Sequence, residues 1–271
     1  MKTNKKRYKL LVLSDLSKSS STILKSSVGL AQMIDGDMEV FHVKKPTDIV
    51  DIENQLSAMR TIHSKQRTTD KEIQNLIRPI SEEYGMNIPY SFTFGNVKNE
   101  INDFIKESQP DIIVLGKRKS RPFSLMGDGI TEFILNSFNG VVLINTDKDV
   151  IAPNKEISLG ALNSPKPFSH LEFAEDLIKH SQMPLKSFKI IKKSSEAKPA
   201  SEAKEMATID YVFEHNDGSI KNLSNYLLKN NISILSIDRI QKASDNGQKL
   251  IMPDIHSVIG RLNTNLLISG K

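Results

Sequence analysis

The sequence predicts a protein of the α/β class with two domains, each an open, mainly parallel five-stranded sheet flanked by helices. Short apolar runs alternate along the chain with amphipathic stretches of helical spacing, the pattern of parallel strands joined by helices. The second half repeats the order of the first, which indicates an internal repeat. A length of 271 residues accommodates two domains of ordinary size. We expect them at residues 1–148 and 149–271, with the boundary within Asp147–Lys155.

The first half contains five predicted strands with helices between them. Each strand is a short apolar run, and each helix carries apolar residues three or four positions apart. The predicted strands are Lys9–Ser14, Met38–Val43, Pro89–Phe94, Asp111–Leu115 and Val141–Asn145. The predicted helices are Ser17–Ile34, a long one over about 49–84, Val97–Glu107 and Gly129–Phe138. We expect the strand order 3-2-1-4-5.

The second half follows the same plan in a shorter form. Its predicted strands are Glu156–Ala161, Lys186–Ile191, Asp210–Glu214, Leu235–Ile237 and Asn265–Ser269, and its helices are His170–Ser181 and a segment beginning at Ile220. The clearest sequence similarity between the halves is that of Val97-Lys98-Asn99 to Ile220-Lys221-Asn222. In place of the long helix, Lys192–Ala207 predicts a loop or a short helix. Pairing of the two last strands would hide two exposed sheet edges.

Charge and composition exclude several classes of function. The chain has 37 Lys and Arg against 32 Asp and Glu, a formal charge of +5. Five basic residues precede the first acid, Asp15, and without them the chain is neutral (5 − 5 = 0): Lys2, Lys5, Lys6, Arg7 and Lys9. The basic balance therefore does not favour a nucleic-acid partner. The lack of cysteine excludes disulfides, thiol catalysis and zinc sites of the cysteine types.

The apolar run nearest the start, Leu10–Leu13, is broken by Asp15. It is too short for a signal-peptide core or a membrane span. We therefore expect a cytoplasmic protein without a membrane partner. The histidines form no metal-binding spacing, and no nucleophile–base pair is evident, so the sequence predicts neither a metal site nor catalytic residues.

The topology predicts where a ligand would bind. In an open parallel sheet, ligands bind beyond the carboxyl ends of the strands, where the strand order reverses. In the first half this point lies between strands one and four. Asp15 follows the first of these strands, and Gly116 opens the loop after the other. Such a loop before a helix N-terminus can collect phosphate groups on its backbone N–H groups.

The segment Leu11–Ser17, with Phe41-His42-Val43 closing the second strand, resembles the universal stress protein family. The resemblance covers the whole chain as a tandem, strongly over 8–146 and weakly over 156–270. It implies a Rossmann-like (adenine nucleotide alpha hydrolase-like) fold and a site for ATP or another adenine nucleotide, with Mg²⁺ as a further ligand. Carried over residue by residue, it puts Asp15 and Val43 near the base and ribose. It puts the loop that starts at Gly116 around the phosphates.

The phosphate loop departs from the family pattern, which is G-x-x-G, nine residues, then G-[S/T]. Lys119 stands at the second Gly, and Gly129 matches the third. Ile130 stands where Ser or Thr belongs, and Thr131 could substitute only if the loop were one residue out of register. A β-carbon is unfavourable by roughly 1 kcal/mol or more where φ > 0 is needed or where backbone approaches phosphate closely.

Four cations follow Gly116 in the same loop, with no acid before Asp128: Lys117, Arg118, Lys119 and Arg121. Their side chains could hold a phosphate that the backbone no longer cradles. The alternative is a solvated basic loop. In the second half, the position equivalent to Asp15 is about Leu162, and the position equivalent to Gly116 is Asp238. The carboxylate of Asp238 would repel phosphate. We expect a nucleotide in the first domain alone.

The second domain is then the pairing partner that the family supplies by dimerisation, so the chain forms an intramolecular pseudo-dimer, and a homodimer remains open. Three functions remain. The first is a stress-response regulatory or ligand-binding module without strong enzymatic chemistry. The second is a nucleotide-hydrolysing enzyme with Asp15 as the one evident metal ligand. The third is a nucleotide-independent protein-interaction scaffold, which the broken glycine spacing favours over the enzyme.

Overall fold

The computed structural model describes residues 7–45, 55–117, 129–147, 150–164, 167–192, 207–239, 244–245, 248–251 and 254–270. Its first half has the predicted alternation of strands and helices. The strands are β1 (Tyr8–Leu13), β2 (Gly36–Lys44), β3 (Tyr90–Phe94), β4 (Ile112–Gly116) and β5 (Val141–Asn145). The helices are α1 (Ser20–Met33), α2 (Gln55–Tyr84), α3 (Val97–Ser108) and α4 (Ile130–Ser137).

The second half keeps the same succession with shorter elements. Its strands are β6 (Leu159–Leu162), β7 (Leu185–Ile191), β8 (Thr208–Glu214), β9 (Ile234–Ile237), the small hairpin β10 (Ser244–Asp245) and β11 (Gln248–Lys249), and β12 (Asn265–Ile268). Its helices are α5 (Ala174–Lys179), α6 (Ser219–Lys229) and α7 (Ile255–Arg261). The hairpin and α7 were not predicted from the sequence. Most of the segment Lys192–Ala207 lies outside the described residues.

One continuous sheet of ten strands runs through both halves, in the order β3-β2-β1-β4-β5-β12-β9-β6-β7-β8. The predicted order 3-2-1-4-5 is confirmed in the first half, and the second half repeats it. The predicted pairing of the last strands is also present, because β5 and β12 are antiparallel neighbours with Leu143 opposite Leu267. Antiparallel pairing of equivalent strands is what a pseudo-two-fold axis requires. The two five-stranded sheets thus merge, and neither leaves an edge at the junction.

Helix α1 fixes the connection between the halves. Gly29 lies at its buried face, where a Cβ atom would stand 1.8 Å from the carbonyl oxygen of Ile151. One turn earlier, the Ser26 hydroxyl accepts a 3.1 Å hydrogen bond from the backbone N–H of Ile151. The lack of a side chain at Gly29 therefore allows Ile151, which lies within the predicted boundary segment, to dock against the first half.

Helix α2 covers the first half of the sheet with one apolar face. Ile73, Ile77 and Ile80 recur at helical spacing and are buried, while the helix as a whole is rich in charged and polar residues. Among the helices that the structure describes, none is both long enough and apolar enough to cross a membrane.

Strand register corrects one equivalence predicted from the sequence. Leu13 lies opposite Leu115 in the first half, and Leu162 lies opposite Ile237 in the second. Leu162 therefore corresponds to Leu13, not to Asp15, and the residue equivalent to Asp15 is Ser164. The alignment was two residues off because β6 begins at Leu159 rather than at Glu156. The equivalence of Gly116 with Asp238 is consistent with the same register.

Candidate functional site

A cavity of about 1240 Å³ opens at the carboxyl ends of β1, β2 and β4. This is the point at which the strand order reverses in the first half, where the topology predicts a ligand. The beginnings of α1, α3 and α4 surround it, and α7 of the second half closes one side. The apolar part of its lining includes Val12, Ile23, Phe41, Val97 and Ile101.

Six of the seven residues predicted for the site line this one cavity: Asp15, Val43, Gly116, Lys117, Gly129 and Thr131. They come from four separate segments of the chain, so only the fold brings them together. Lys119 lies outside the described residues, as do Arg118 and Arg121. The structure thus describes the base and ribose side of the predicted site together with both ends of the phosphate loop.

Asp15 is held in place by the start of α1. Its Oδ1 atom accepts hydrogen bonds from the backbone N–H of Ser17 at 3.1 Å and from the Ser20 hydroxyl at 3.3 Å. Leu16 adopts a left-handed backbone conformation with φ 54°, which turns the chain sharply between strand and helix. These bonds, made just before α1 and at its first residue, fix a carboxylate at the cavity wall, where it can accept hydrogen bonds from ligand hydroxyls.

His42 lies near the end of β2 and is buried. Its Nδ1 atom is 2.8 Å from the carbonyl oxygen of Ser14. A carbonyl only accepts, so Nδ1 carries the proton. Burial lowers the pKa of His42, a change that the bond to Ser14 opposes and nearby Lys44 reinforces. The imidazole is therefore neutral near pH 7.

Lys44 and Glu72 also line the cavity, and neither was predicted from the sequence. The Lys44 ammonium donates to the Thr69 hydroxyl at 3.1 Å and lies 4.0 Å from a carboxylate oxygen of Glu72. Because Glu72 belongs to α2, these contacts tie the long helix to the end of β2. Lys44 is the last residue of an apolar strand. That position was the one feature of the sequence that could have indicated a residue of the cavity lining.

The two glycines of the site differ in backbone conformation and in what surrounds them. Gly129 has φ 57° and directly precedes α4, a conformation that glycine adopts without strain. At Gly116 a Cβ atom would lie 2.2 Å from the terminal Cδ1 of Ile23, so a side chain there would require the end of the Ile23 side chain to move. The position of Gly129 leaves the first N–H groups of α4 at the cavity, where an anionic group would be favoured.

Lys117 reaches across to the second half. Its ammonium group donates to the carbonyl oxygen of Leu262, and also to that of Gly260 at 3.4 Å. These carbonyls belong to the end of α7, where a cation is stabilised by the helix dipole and by carbonyls that have no partner within the helix. The first cation of the basic loop therefore has a structural contact, which the sequence did not predict.

At the equivalent strand ends of the second half, three of the described side chains contact one another. The Ser164 hydroxyl donates to Asp238 Oδ2 at 2.9 Å. His170 Nε2 lies 2.7 Å from Asp238 Oδ1, at ion-pair distance although its alignment does not make a hydrogen bond. The three side chains stand where Asp15 and Gly116 border the open cavity of the first half.

Comparison with known proteins gives the same family as the sequence motifs. The sequence model of the Universal stress protein family matches residues 7–151. A universal stress protein from Archaeoglobus fulgidus DSM 4304 aligns with a TM-score of 0.65 and 16% identity, over 97% of this chain and 98% of that one. A functionally unknown protein from Pseudomonas aeruginosa PAO1 aligns with a TM-score of 0.57 and 11% identity, over 97% of this chain and 92% of that one. No curated protein matches the sequence.

The two structural similarities extend over both halves, and at such low identity they establish the fold alone. The family match covers more than half of the 271 residues and contains the segments of the first half that line the cavity. The chain belongs to the universal stress protein family.

Proposed function

We propose that this protein is a stress-response regulatory module that binds an adenine nucleotide in the first-half cavity and acts through binding rather than hydrolysis. The observation that carries the proposal is the convergence of six predicted residues on one cavity of about 1240 Å³. Nucleotide-sized ligands occupy cavities of this order, mostly apolar with a few fixed polar groups.

The lining suits the three parts of a nucleotide. Val12, Phe41 and Val43 offer an apolar surface for a base. Asp15, fixed by the start of α1, offers an acceptor for ribose hydroxyls. The start of α4 after Gly129 offers backbone N–H groups for phosphate. Mg²⁺ would be held chiefly by the phosphates, with Asp15 as one of the carboxylates that line the cavity, since this ion commonly uses one or two carboxylates plus substrate phosphates.

The proposal assigns the nucleotide to the first of two domains, at residues 1–148 and 149–271. The support is the contrast between the open cavity of the first half and the contacts among Ser164, Asp238 and His170 in the second. A cytoplasmic location belongs to the same proposal, and cell fractionation tests it.

A nucleotide-independent scaffold is the second candidate, and one observation favours it. Lys117, a predicted phosphate ligand, contacts the carbonyls of α7. Ile130 also stands where the family pattern has Ser or Thr. If these changes remove phosphate binding altogether, the joined sheet of ten strands remains as a rigid platform for other proteins.

The deciding experiment denatures freshly purified protein and identifies any released nucleotide, then titrates ATP and adenosine by calorimetry while phosphate release is followed. We expect ATP binding without phosphate release. Asp15→Asn should weaken both ligands, while the matched control Asp103→Asn, on the exposed side of α3, should weaken neither. No released nucleotide and no heat up to millimolar ATP would overturn the proposal in favour of the scaffold.

A further inference from the structure

We propose that the second half completes the ligand site of the first: α7 forms one wall of the cavity, and His256 together with Lys117 contacts the anionic group of the ligand. This inference rests on the proposed nucleotide site and adds to it residues that the family pattern does not contain. It also gives the second half a direct part in ligand binding beyond that of a pairing partner for the sheet.

Helix α7 has one face on the cavity and another in the core. His256, Ile259 and Gly260 line the cavity, and His256 and Gly260 share a face because they are four residues apart. On the other side, Val258 and Leu262 are buried. The side chain of Asp254 accepts a 2.9 Å hydrogen bond from the backbone N–H of Ser257 and caps the first turn. The cap and the buried anchors fix which face meets the cavity.

Lys117 joins this wall to the rest of the site. It directly follows Gly116 at the end of β4, and its ammonium donates to the carbonyls of Gly260 and Leu262. The same residue lines the cavity. Its positive charge therefore lies at the cavity wall, where it attracts an anionic oxygen of a ligand.

Several groups of the cavity lining suit a negatively charged ligand. Lys117, His256 and the Thr131 hydroxyl can all donate, and the first N–H groups of α4 favour an anion. The carboxylates of the same lining, Asp15, Glu72 and Glu132, oppose this preference. Because the Ile130 side chain cannot donate, His256 of the second half supplies the cavity with a side-chain donor that the phosphate loop has lost.

Gly260 allows a direct test of the wall. A Cβ atom at this position would meet nothing within 4 Å, so a larger side chain has room to enter the cavity without strain in the helix. Gly260→Phe should weaken ATP and adenosine alike, by tenfold or more, because the ring occupies ligand space. Leu228→Phe, which introduces the same ring at an exposed position of α6 outside the cavity lining, is the control, and it should leave both affinities within about twofold.

His256→Gln tests the anionic end separately. We expect ATP affinity to fall about tenfold, the order of one hydrogen bond to a charged group, while adenosine affinity stays unchanged. Hydrogen exchange offers a second readout, since ATP should slow the backbone exchange of residues 254–262 in the unaltered protein. His256 is exposed, so its replacement should leave the thermal unfolding midpoint unaltered and any loss of affinity attributable to the site.

The outcomes separate the two proposals. If the unaltered protein binds neither ATP nor adenosine, the proposed function fails and this inference with it. If it binds ATP, but Gly260→Phe and His256→Gln bind equally well and α7 exchanges at the same rate, the composite site is wrong while the nucleotide site stands.

Discussion

Lys117 and Arg239 hold equivalent positions in the two halves, and each donates to the carbonyls at the end of the other half's last helix. Lys117 contacts Gly260 and Leu262 at the end of α7. Arg239 contacts the carbonyls at and just beyond the end of α4: Leu135 at 3.1 Å, Phe138 at 2.6 Å and Gly140 at 3.3 Å. The junction therefore carries two reciprocal cation contacts on either side of the β5–β12 pair.

The two contacts differ in strength for physical reasons. Arg239 uses two arms of its planar guanidinium against three carbonyls, a rigid arrangement that loses little freedom for each bond formed. Partial burial of the guanidinium lowers the pKa of Arg239. Lys117 holds two carbonyls through a flexible stem beside the open cavity. The stronger contact thus comes from the second half.

Arg239→Met should lower the free energy of unfolding by about 3 kcal/mol, because it leaves three carbonyls without their charged donor. Lys117→Met should cost about 1 kcal/mol, since water can reach its two carbonyls from the cavity. Urea denaturation of both variants measures the difference. Equal losses of unfolding free energy in the two variants would contradict the expected difference. Arg239→Lys should be more stable than Arg239→Met but less stable than the unaltered protein, because an ammonium cannot reproduce the planar guanidinium.

Gly29→Ala should destabilise the protein by about 2 kcal/mol or more, although Ala is the better helix former by about 1 kcal/mol. The new Cβ would meet the Ile151 carbonyl oxygen at 1.8 Å, and the backbone must move to relieve this overlap. Gly260→Ala is the control, because it makes the same change in a helix with open space at the Cβ position. It should be neutral or slightly stabilising in thermal unfolding. A stabilising Gly29→Ala would show that residue 151 does not dock on α1.

The pKa of His42 is lowered by burial, and this fixes the sign of a pH effect. Below its ordinary value of about 6.5, the unfolded chain takes up the proton before the folded one does, so stability falls as the pH decreases through this window. Lys44, Glu72 and Asp15 are the charged groups that act on it. His42→Asn, which retains a donor for Ser14, should remove this part of the slope.

Urea denaturation of the unaltered protein and His42→Asn at pH 7.5, 6.5 and 5.5 measures that contribution. The stability advantage of the unaltered protein should shrink as the pH falls. A constant difference across the three pH values would mean that His42 titrates in the folded protein as it does in the unfolded chain.

The strand order and the position of the cavity could be predicted because they depend on short apolar runs and the rules of parallel sheets. Helix α7 could not be predicted in the same way. It has seven residues, and helical periodicity needs a window of about 11 residues to stand out. Asp254, the cap, and the spacing of Ile255, Val258 and Ile259 were the available signals.

The hydrogen-bond partner of Lys117 could not be predicted from the sequence either, since the bond joins positions 145 residues apart. A run of cations gives charge and place but does not specify which carbonyls or ligands they contact. The offset at Ser164 has a similar origin. Only the hydrogen-bonded register of β6 with β9 fixes where that strand ends relative to its counterpart.

Ile130→Ser should strengthen ATP binding, because it restores the hydroxyl that follows the last Gly in the family pattern. A hydrogen bond from this hydroxyl to a phosphate oxygen predicts a gain of about tenfold, and adenosine affinity should not change. Ile130 packs at the edge of the core, so the exchange should cost about 1 kcal/mol of stability. Ile130→Val, which shortens the side chain without adding a donor, is the control for this loss.

Calorimetric titration of both variants with ATP and adenosine gives the comparison. An ATP affinity that rises equally in Ile130→Ser and Ile130→Val would assign the gain to space rather than to the hydroxyl. No gain in either would mean that the phosphates do not reach the start of α4.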